Sequence, residues 1–260
     1  MDPITQSNQG TPERVFGLVA NNKGGVGKSL VSALLIEQLA AGPEAPPWDL
    51  IEVEHRVEFT QENYVRPPGV TFTPIGLVSE NVAANRTELS TLPLDKLWDF
   101  IPSEHDTGPR HLLLDLGASA FQAFMMWGVQ SRGLNQFLNA GFRFVFFIPV
   151  QGGDYEAAAF FNDNLNDLSQ LGTTVLVKNF REGADFSLLN PELVAKVPCL
   201  PLICKGLPMT NELQQPSKQR LTFRQLAQCR TATRRARNDA GLSDEHFTAA
   251  FQALRPQFGL

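Results

Sequence analysis

The sequence lacks the features that mark secreted and membrane proteins. Its 260 residues include only three cysteines, and no two of them stand at the spacing of a metal-binding pair. No apolar run approaches the length of about 18 residues that a membrane-spanning helix needs. Residues 1–13 are polar and contain no apolar stretch of the kind found in signal peptides, so we interpret them as a short disordered lead-in. These absences favour a cytoplasmic protein with reduced thiols.

Patterns of hydrolytic triads and zinc sites are also missing. The four histidines are scattered, and none forms a metal-binding pair with another. Hydrophobic residues make up 43% of the chain and charged residues 19%, which is ordinary for a globular protein. We find no repeat, low-complexity tract or domain boundary, so residues 14–260 are interpreted as one domain with a basic, helical part from about 216 to 260.

Continuous apolar runs alternate with segments of helical periodicity. Short runs of this kind predict strands that are buried on both faces, as in a parallel sheet. The predicted strands are 15–20, 48–53, 70–75, 111–116, 142–150, 173–177 and 197–203. The predicted helices are 28–41, 94–101, 120–138, 155–171 and most of the chain after 216. The alternation predicts an α/β fold with a doubly wound, mostly parallel sheet and helices on both faces.

A glycine-rich loop follows the first predicted strand. It reads N-K-G-G-V-G-K-S from Asn22 to Ser29 and leads into a predicted helix. Glycines let main-chain N–H groups approach a phosphate, and the start of a helix adds positive partial charge. We expect Lys28 to reach the outer phosphates and Ser29 to place its hydroxyl on magnesium. The motif predicts a P-loop for ATP and Mg²⁺, built from Asn22, Lys23, Gly24, Gly25, Val26, Gly27, Lys28, Ser29 and Leu30.

The spacing of this loop departs from the common Walker A pattern. Asn22 stands where that pattern has its first glycine, and Lys23 directly precedes the double glycine. K-G-G-V-G-K-S resembles the deviant Walker A motif of the ParA/MinD-type ATPases. The resemblance implies an ATP-dependent homodimer in which Lys23 reaches the phosphates of the partner's nucleotide. It also implies nonspecific DNA binding by that dimer and an activating partner protein.

Acids at two further strand ends extend the resemblance. The family ends its second strand with two aspartates one residue apart, where this chain has Glu52 and Glu54. By position, Glu54 is the residue that orients the attacking water. The longer glutamate side chains predict slow hydrolysis, because water positioning tolerates little geometric error. Solvated strand-end acids are the alternative interpretation of this pair.

Two more positions match the family. Asp115, in L-L-L-D-L-G, corresponds to the Walker B acid and is expected to hold magnesium directly or through water; a structural capping role is the alternative. Asn179 resembles the residue that bonds the adenine edge, although asparagine is also common in turns. The candidate catalytic residues are therefore Lys23, Lys28 and Glu54. The candidate metal-binding residues are Ser29 and Asp115.

Three shorter matches indicate a narrower group. D-L-G-A-S-A-F at 115–121, V-Q-G-G at 150–153 and R-L-T-F at 220–223 are similar to ParA-like ATPases of plasmid conjugal-transfer and stability regions, the TraL and StbB kind. This similarity implies a role in plasmid partition, stability or conjugal transfer. A second hypothesis is an ATP-binding scaffold that barely hydrolyses ATP. A third is a MinD-like positioner attached to membranes.

Charge is spread unevenly along the chain. The net charge is −5, but segment 216–237 carries +7 without an acid, which leaves −12 on the rest. Basic residues on one helix face give salt-sensitive, sequence-independent contacts to DNA phosphates. A solvated helix face explains the same charges equally well. The candidate DNA-binding residues are Lys218, Arg220, Arg224, Arg230, Arg234, Arg235 and Arg237.

The C-terminal segment carries an amphipathic pattern. Its apolar residues recur on one helical face, but Arg255 is the only cation nearby. A helix that binds membranes should carry several basic residues on its polar face. We therefore expect membrane binding to be absent and this face to pack on the protein's own core or on another subunit. The face consists of Phe247, Ala250, Phe251, Leu254 and Phe258.

Overall fold

The apolar runs form a seven-stranded sheet in the computed structural model of the chain. The structure describes residues 14–41, 45–55, 61, 64, 66–81, 86–89, 91–103, 110–203, 223–228 and 234–258. The lead-in predicted at 1–13 lies outside the described residues. The strands Arg14–Val19 and His111–Leu116 are buried along their whole length, and Phe142–Gln151 over most of it, because helices cover both faces. The continuous apolar character of these strands follows from that double coverage.

Nine strands are present in the described part of the chain. They are β1 (Arg14–Val19), β2 (Trp48–Glu54), β3 (Val70–Gly76), β4 (Val78–Asn81), β5 (Arg86–Leu89), β6 (His111–Leu116), β7 (Phe142–Gln151), β8 (Gly172–Asn179) and β9 (Cys199–Leu202). The main sheet has the order β3-β2-β6-β1-β7-β8-β9. Every neighbouring pair in it is parallel. The antiparallel pair β4–β5 forms a separate ribbon that the sequence patterns did not predict.

The helices divide between the two faces of the sheet. They are α1 (Lys28–Leu39), a 3-10 helix (Leu92–Phe100), α2 (Ala120–Gln130), α3 (Gly133–Asn139), α4 (Tyr155–Leu171), α5 (Pro191–Val194), α6 (Phe223–Gln228), α7 (Arg234–Leu254) and a 3-10 turn (Arg255–Phe258). The apolar cluster on one face takes residues from the first 3-10 helix and from α2 to α5. The cluster on the other face takes residues from α1, α6 and α7. The predicted doubly wound α/β fold is confirmed.

The strand order places the glycine loop at the centre of the sheet. After β1 the chain turns to one side for β2 and β3, and it later fills the other side with β7, β8 and β9. The register sets Asp115 of β6 beside Val19 of β1 and Glu52 of β2. In an open parallel sheet, the crevice at such a switch point, beyond the carboxyl ends of the strands, is where ligands bind.

The helix predicted over 120–138 is confirmed except for one break. The structure breaks it into α2 and α3 at Ser131 and Arg132, and Arg132 adopts a left-handed φ of 58°. The Ser131 hydroxyl donates to the carbonyl of Trp127 and accepts from the N–H of Gly133, so it competes for main-chain groups that a continuous helix would use. A Cβ at Gly133 would collide with the Trp127 ring. The glycine therefore lets α3 pack closely against α2.

Smaller differences concern element type and length. The segment predicted as a helix at 94–101 is the 3-10 helix Leu92–Phe100, and β9 is shorter than the predicted strand 197–203. Beyond residue 216, both described segments are helical, as expected. None of the helices in the described part is long and apolar enough to cross a bilayer.

Candidate phosphate-binding site

The loop between β1 and α1 has a backbone that depends on glycine. Gly25 and Gly27 have φ values of 77° and 95°, in the left-handed region that larger residues resist. A Cβ at Gly27 would also lie 2.9 Å from Nδ2 of Asn179. No side chain caps the start of α1, so the amides of its first turn face the loop without a side-chain partner. Such amides form an anion-binding site when a phosphate enters the loop.

Asn21 fixes the start of the loop. It is fully buried, and its Nδ2 donates to the carbonyls of Pro149, at 2.9 Å, and Ala157, at 3.2 Å. Its Oδ1 accepts from the N–H of Lys23 at 2.9 Å. The side chain thus ties the loop to the end of β7 and to the first turn of α4. Sequence reasoning missed this residue, although an asparagine directly after a buried strand must find partners.

Exposure alternates along the loop. Asn22, Gly24 and Gly25 are exposed, so their main-chain groups are accessible to a ligand. The side chains of Val26 and Leu30, by contrast, are buried in the apolar clusters on opposite faces of the sheet. Of the predicted cofactor-binding residues, these two can therefore offer a ligand only their main-chain atoms.

Lys28 is buried beneath the loop with its ammonium group turned back into it. The side chain is 8% exposed, and Nζ donates to the carbonyl of Lys23 at 2.8 Å. Burial lowers the pKa of Lys28, while the charges of Asp115 and Glu54 oppose that shift. An ammonium group has three hydrogens, so two more are available to phosphate oxygens. The arrangement suits a counter-charge for a phosphate bound in the loop.

Lys23 lies at the outer rim and pairs with Glu156 of α4. Its Nζ is 2.7 Å from Oε2 of Glu156, and the two side chains are 36% and 68% exposed. The hydrogen bond and the charge of Glu156 raise the pKa of Lys23. The two lysines of the motif therefore differ, because Lys28 points into the loop and Lys23 points away from it. Sequence reasoning did not identify Glu156 as a partner.

Asp115 is buried at the end of β6 beside the loop. Burial raises the pKa of its carboxyl, and hydrogen bonds from Gln61 and Ser29 and the charge of Lys28 oppose that rise. The structure thus brings together three of the predicted site residues, Ser29, Lys28 and Asp115. A carboxylate and a hydroxyl in this position suit a hard cation such as Mg²⁺.

The two glutamates at the end of β2 have different environments. Glu52 is fully buried, and its Oε2 accepts the N–H of Gln61 at 2.8 Å. Glu54 is half-buried and packs so closely on Gly117 that a Cβ there would collide with its carboxylate. Burial and the charge of Asp115 raise the pKa of Glu54, against the influence of Lys28 and of the His55 N–H. The interpretation of both as solvated strand-end acids is wrong for Glu52.

The residues present fit a magnesium ion. Gln61 contributes a buried side-chain oxygen, Oε1, that has no hydrogen-bond partner in the described part of the chain. This acceptor belongs to the side chain that bonds Asp115, so the site combines a carboxylate, a hydroxyl and a spare amide oxygen. Among the described residues, no group of three or more His, Cys, Asp or Glu could hold a metal. Mg²⁺ does not require one, since it retains waters and shares its ligands with substrate phosphates.

Asn179 ends β8 against the underside of the loop. Its Nδ2 donates to the carbonyl of Val26 at 2.9 Å, and its Oδ1 accepts from the N–H of Arg181 at 3.0 Å. The side chain thus supports the loop and its own turn. One hydrogen and one lone pair of the amide remain for a base edge, so adenine contact stays a prediction.

Comparisons with known proteins find solved structures with a similar fold. No protein-family model and no curated protein matches the sequence. A plasmid partition protein from Borrelia burgdorferi B31, solved with AMPPNP, matches with a TM-score of 0.52 and 12% identity over 93% of this chain and 99% of its own. A McdA variant from Cyanothece, solved with ATP, matches with a TM-score of 0.52 and 10% identity over 96% of this chain and 98% of its own. The chain has the fold of the ParA-type ATPases.

A third structure, a ParA family ATPase from Chlorobium tepidum TLS, matches with a TM-score of 0.49 and 14% identity over 77% of this chain and 87% of its own. At such identities the likeness concerns the fold. The two structures solved with nucleotide are matched over 93% and 96% of this chain, so the similarity extends over almost the whole fold. The resemblance read from the glycine motif and the similarity of the fold agree.

The C-terminal helix of this ParA-type fold buries its apolar face. Phe247 and Phe251 are fully buried and stack with ring centroids 6.3 Å apart. Both belong to the cluster that also contains side chains of α1 and β9. Partly buried Ala250 and Leu254 pack against the same cluster. Packing on the protein's own core, as expected from the sequence, thus occupies the face that a membrane helix would need.

The candidate DNA-binding residues fall only partly within the described chain. Arg224 lies on α6, and Arg234, Arg235 and Arg237 lie in the first turn of α7. Lys218, Arg220 and Arg230 lie outside the described residues. The structure therefore places the end of the basic segment on α7, the helix that covers the same sheet face as α1.

Proposed function

We propose that this chain is an ATPase switch that binds Mg²⁺ and ATP, forms a homodimer and acts in plasmid partition, stability or conjugal transfer. The observation that carries the proposal is the buried ammonium group of Lys28 inside a glycine loop whose amides are open to a ligand. Desolvation strengthens the attraction between such a cation and a phosphate. The partition role rests on the ParA-type fold and on the short matches to conjugal-transfer and stability ATPases.

Each site residue has a distinct part in this proposal. Lys28 and the loop amides bind the phosphates. Asn179 supports the loop and forms a hydrogen bond with the edge of the adenine base. Ser29 and Asp115 hold the magnesium ion, which neutralises phosphate charge when bound. Glu54 orients the attacking water from the end of β2. Lys23 leaves Glu156 to reach the phosphates of the partner subunit's nucleotide.

Nucleotide binding is the first point to test. Calorimetry with Mg²⁺ and ADP, or with a nonhydrolysable ATP analogue, should show binding to the full chain. Gel filtration should then show a dimer with the ATP analogue and a monomer with ADP. Absence of binding heat for both nucleotides would remove the ATPase proposal, and a monomer under all conditions would remove the switch.

A scaffold that binds ATP and barely hydrolyses it is the second candidate. The observation in its favour is the confinement of Glu54, since it is half-buried and packs so closely on Gly117 that its carboxylate has little room to move. Water positioning tolerates little geometric error, so a carboxylate held away from the attacking water leaves hydrolysis slow. Turnover measured with and without DNA separates the candidates, because a scaffold stays at background in both.

DNA binding by the basic segment 216–237 has its own test. The ATP-bound dimer is expected to bind DNA of any sequence, and its affinity should fall steeply between two salt concentrations. Replacing Arg234, Arg235 and Arg237 together by glutamine should weaken binding and reduce the salt dependence. Unchanged DNA affinity in that variant would favour the solvated helix face. An activating partner protein would be sought by its effect on turnover.

A further inference from the structure

Gln61 lies between β2 and β3 with its side chain inserted beside the phosphate loop. The residue is fully buried, although it belongs to neither strand. Its Nε2 donates to the carbonyl of Ser29 at 2.8 Å and to Oδ2 of Asp115 at 2.7 Å. One amide group therefore connects the first turn of α1 with the acid at the end of β6, the two places where magnesium ligands are expected.

The orientation of this amide is fixed by chemistry. Both partners of Nε2, the Ser29 carbonyl and the Asp115 carboxylate, offer only lone pairs. A reversed amide would set Oε1 against those oxygens and lose both hydrogen bonds. The nitrogen must therefore face Ser29 and Asp115, and Oε1 bonds to neither of them.

The rest of Gln61 is also held in place. Its main-chain N–H donates to Oε2 of Glu52 at 2.8 Å, and its carbonyl accepts from Nη1 of Arg66 at 3.0 Å. Every polar group of the residue but one is thus engaged. The exception is Oε1, which is buried and lacks a partner within the described ranges.

A buried amide oxygen without a donor is unusual in a native protein, and it calls for a ligand, an ion or a water. The neighbours of Gln61 indicate which donor is missing. Ser29 and Asp115 are the residues expected to hold Mg²⁺, and this ion retains several of its waters in proteins. A metal-bound water is a strong hydrogen-bond donor, because the cation polarises it.

We propose that Gln61 is a positioning residue of the magnesium site: its Nε2 orients Asp115, and its Oε1 accepts a hydrogen bond from the hydration shell of the ion. This inference rests on the proposed Mg²⁺-nucleotide function. It assigns to Gln61 a role in metal binding, besides the water-orienting role proposed for Glu54. Residues that orient metal ligands in this way typically change metal affinity by about tenfold to a hundredfold when they are replaced.

The test compares nucleotide affinity with and without the metal. Calorimetric titration of ADP into the full chain is done in EDTA and in Mg²⁺, for wild type and for Gln61→Met, which keeps the length of the side chain and removes both polar groups. We expect the metal-free ADP affinity of Gln61→Met to stay within about threefold of wild type, while the enhancement by Mg²⁺ falls about tenfold or more. Gln136→Met, at an exposed position of α3, is the matched control and should behave as wild type.

Two further variants keep the test decisive. Asp115→Asn should lose the increase of ADP affinity that Mg²⁺ causes, and it provides the reference value for complete loss. Gln61→Asn retains the amide but is shorter by one methylene, so it should fold and lose several-fold of the enhancement; it replaces Gln61→Met if that variant does not fold. Circular dichroism and thermal melting establish folding for each protein.

A purely structural role gives a different result. If Gln61 only satisfies the buried carboxylate of Asp115, its replacement lowers the melting temperature and leaves the Mg²⁺ enhancement at the wild-type value. That outcome, or an equal loss of affinity in EDTA and Mg²⁺, would overturn the proposal. A wild-type protein that binds no ADP in either buffer instead contradicts the proposed function itself, so the two failures are distinguishable.

Discussion

The two edges of the central sheet both bury charged or titratable groups, but they satisfy them in different ways. At the edge where strands begin, the buried carboxylate of Asp49 accepts hydrogen bonds from Arg110 and Thr71. At the same edge, His111 accepts the main-chain N–H of Val15 at 3.0 Å. Asp49 and His111 therefore find partners within the chain.

The opposite edge, where strands end, keeps hydrogen-bond capacity in reserve. Lys28 is buried with a single donated hydrogen bond in the described part of the chain, and Oε1 of Gln61 has no donor there. Asp115 lies between them with a carboxyl whose pKa is raised by burial. Buried polar groups that stay incompletely satisfied cost stability. The comparison indicates that the paired groups of the starting edge stabilise the fold, whereas under the proposed function a ligand takes up the capacity left at the ending edge.

The largest expected effect comes from Lys28→Ala. The variant removes a buried cation that can give two charge-assisted hydrogen bonds to phosphate, each worth about 1.5–3 kcal/mol. Nucleotide affinity should fall by about a hundredfold or more, as measured by calorimetry. Lys196→Ala, at an exposed position after α5, is the control and should bind as wild type. Binding retained by the Lys28 variant would mean that the ending edge is not the ligand site.

The next effect concerns the starting edge and should appear in stability alone. Burial, with a smaller contribution from Arg14, lowers the pKa of His111 from 6.5 to about 4. The folded protein therefore excludes a proton that the unfolded chain binds, and stability present above pH 6.5 is lost as the pH falls towards 4. The loss from this group is at most about 3 kcal/mol.

Urea unfolding at several pH values measures this effect. In His111→Gln, the drop in unfolding free energy between neutral and acidic pH should be smaller than in wild type by that amount. His246→Gln, at an exposed position of α7, should retain the wild-type pH dependence. Nucleotide affinity at neutral pH should be unchanged in both variants. Weaker nucleotide binding by the His111 variant would show that the starting edge also contributes to ligand binding, which would contradict the difference between the two edges.

A smaller effect is expected for Glu54→Gln. The amide keeps the shape of the side chain but is a much weaker base and acceptor, so the attacking water loses its orientation. Turnover should fall by roughly tenfold to a hundredfold, while ATP affinity stays within about twofold. Steady-state phosphate release and calorimetry measure the two quantities, with the exposed Glu192→Gln as control. Measurable turnover that is equal in Glu54→Gln and wild type would contradict the catalytic role of Glu54, whereas turnover at background in both would favour the scaffold.

The sequence predicted the parts of the molecule that local chemistry determines. The loop from Asn22 to Ser29 and the buried strands that flank it follow from glycine conformations and apolar runs, and the doubly wound sheet follows from their alternation. The position of Asp115 followed from the resemblance at the end of a buried strand. These features depend on few residues close together in the chain.

The partners of these residues were not predictable in the same way. Asn21 bonds Ala157, Lys23 pairs with Glu156 and Gln61 reaches Asp115, over separations of 136, 133 and 54 residues. None of these contacts follows a periodic pattern, because each depends on how loops fold over the sheet. The break at Ser131 was missed for a related reason, since a hydroxyl that bonds its neighbouring backbone overrides the apolar periodicity of 120–138.

The smallest effect is expected at the rim of the ending edge, for Glu156→Gln. The pair with Lys23 is largely solvent-accessible, and exposed ion pairs contribute little to stability or to preorganisation. The equilibrium constant of unfolding should therefore remain within about threefold of the wild-type value. The dissociation constant of ADP from the monomer, measured by calorimetry, should stay within the same range. Lys23→Ala should be equally mild in the same assay, because this side chain points away from its own loop. A tenfold loss of ADP affinity in Glu156→Gln would show that the pair shapes the loop. The rim pair would then be part of the ligand-binding site, together with Lys28 and Asp115.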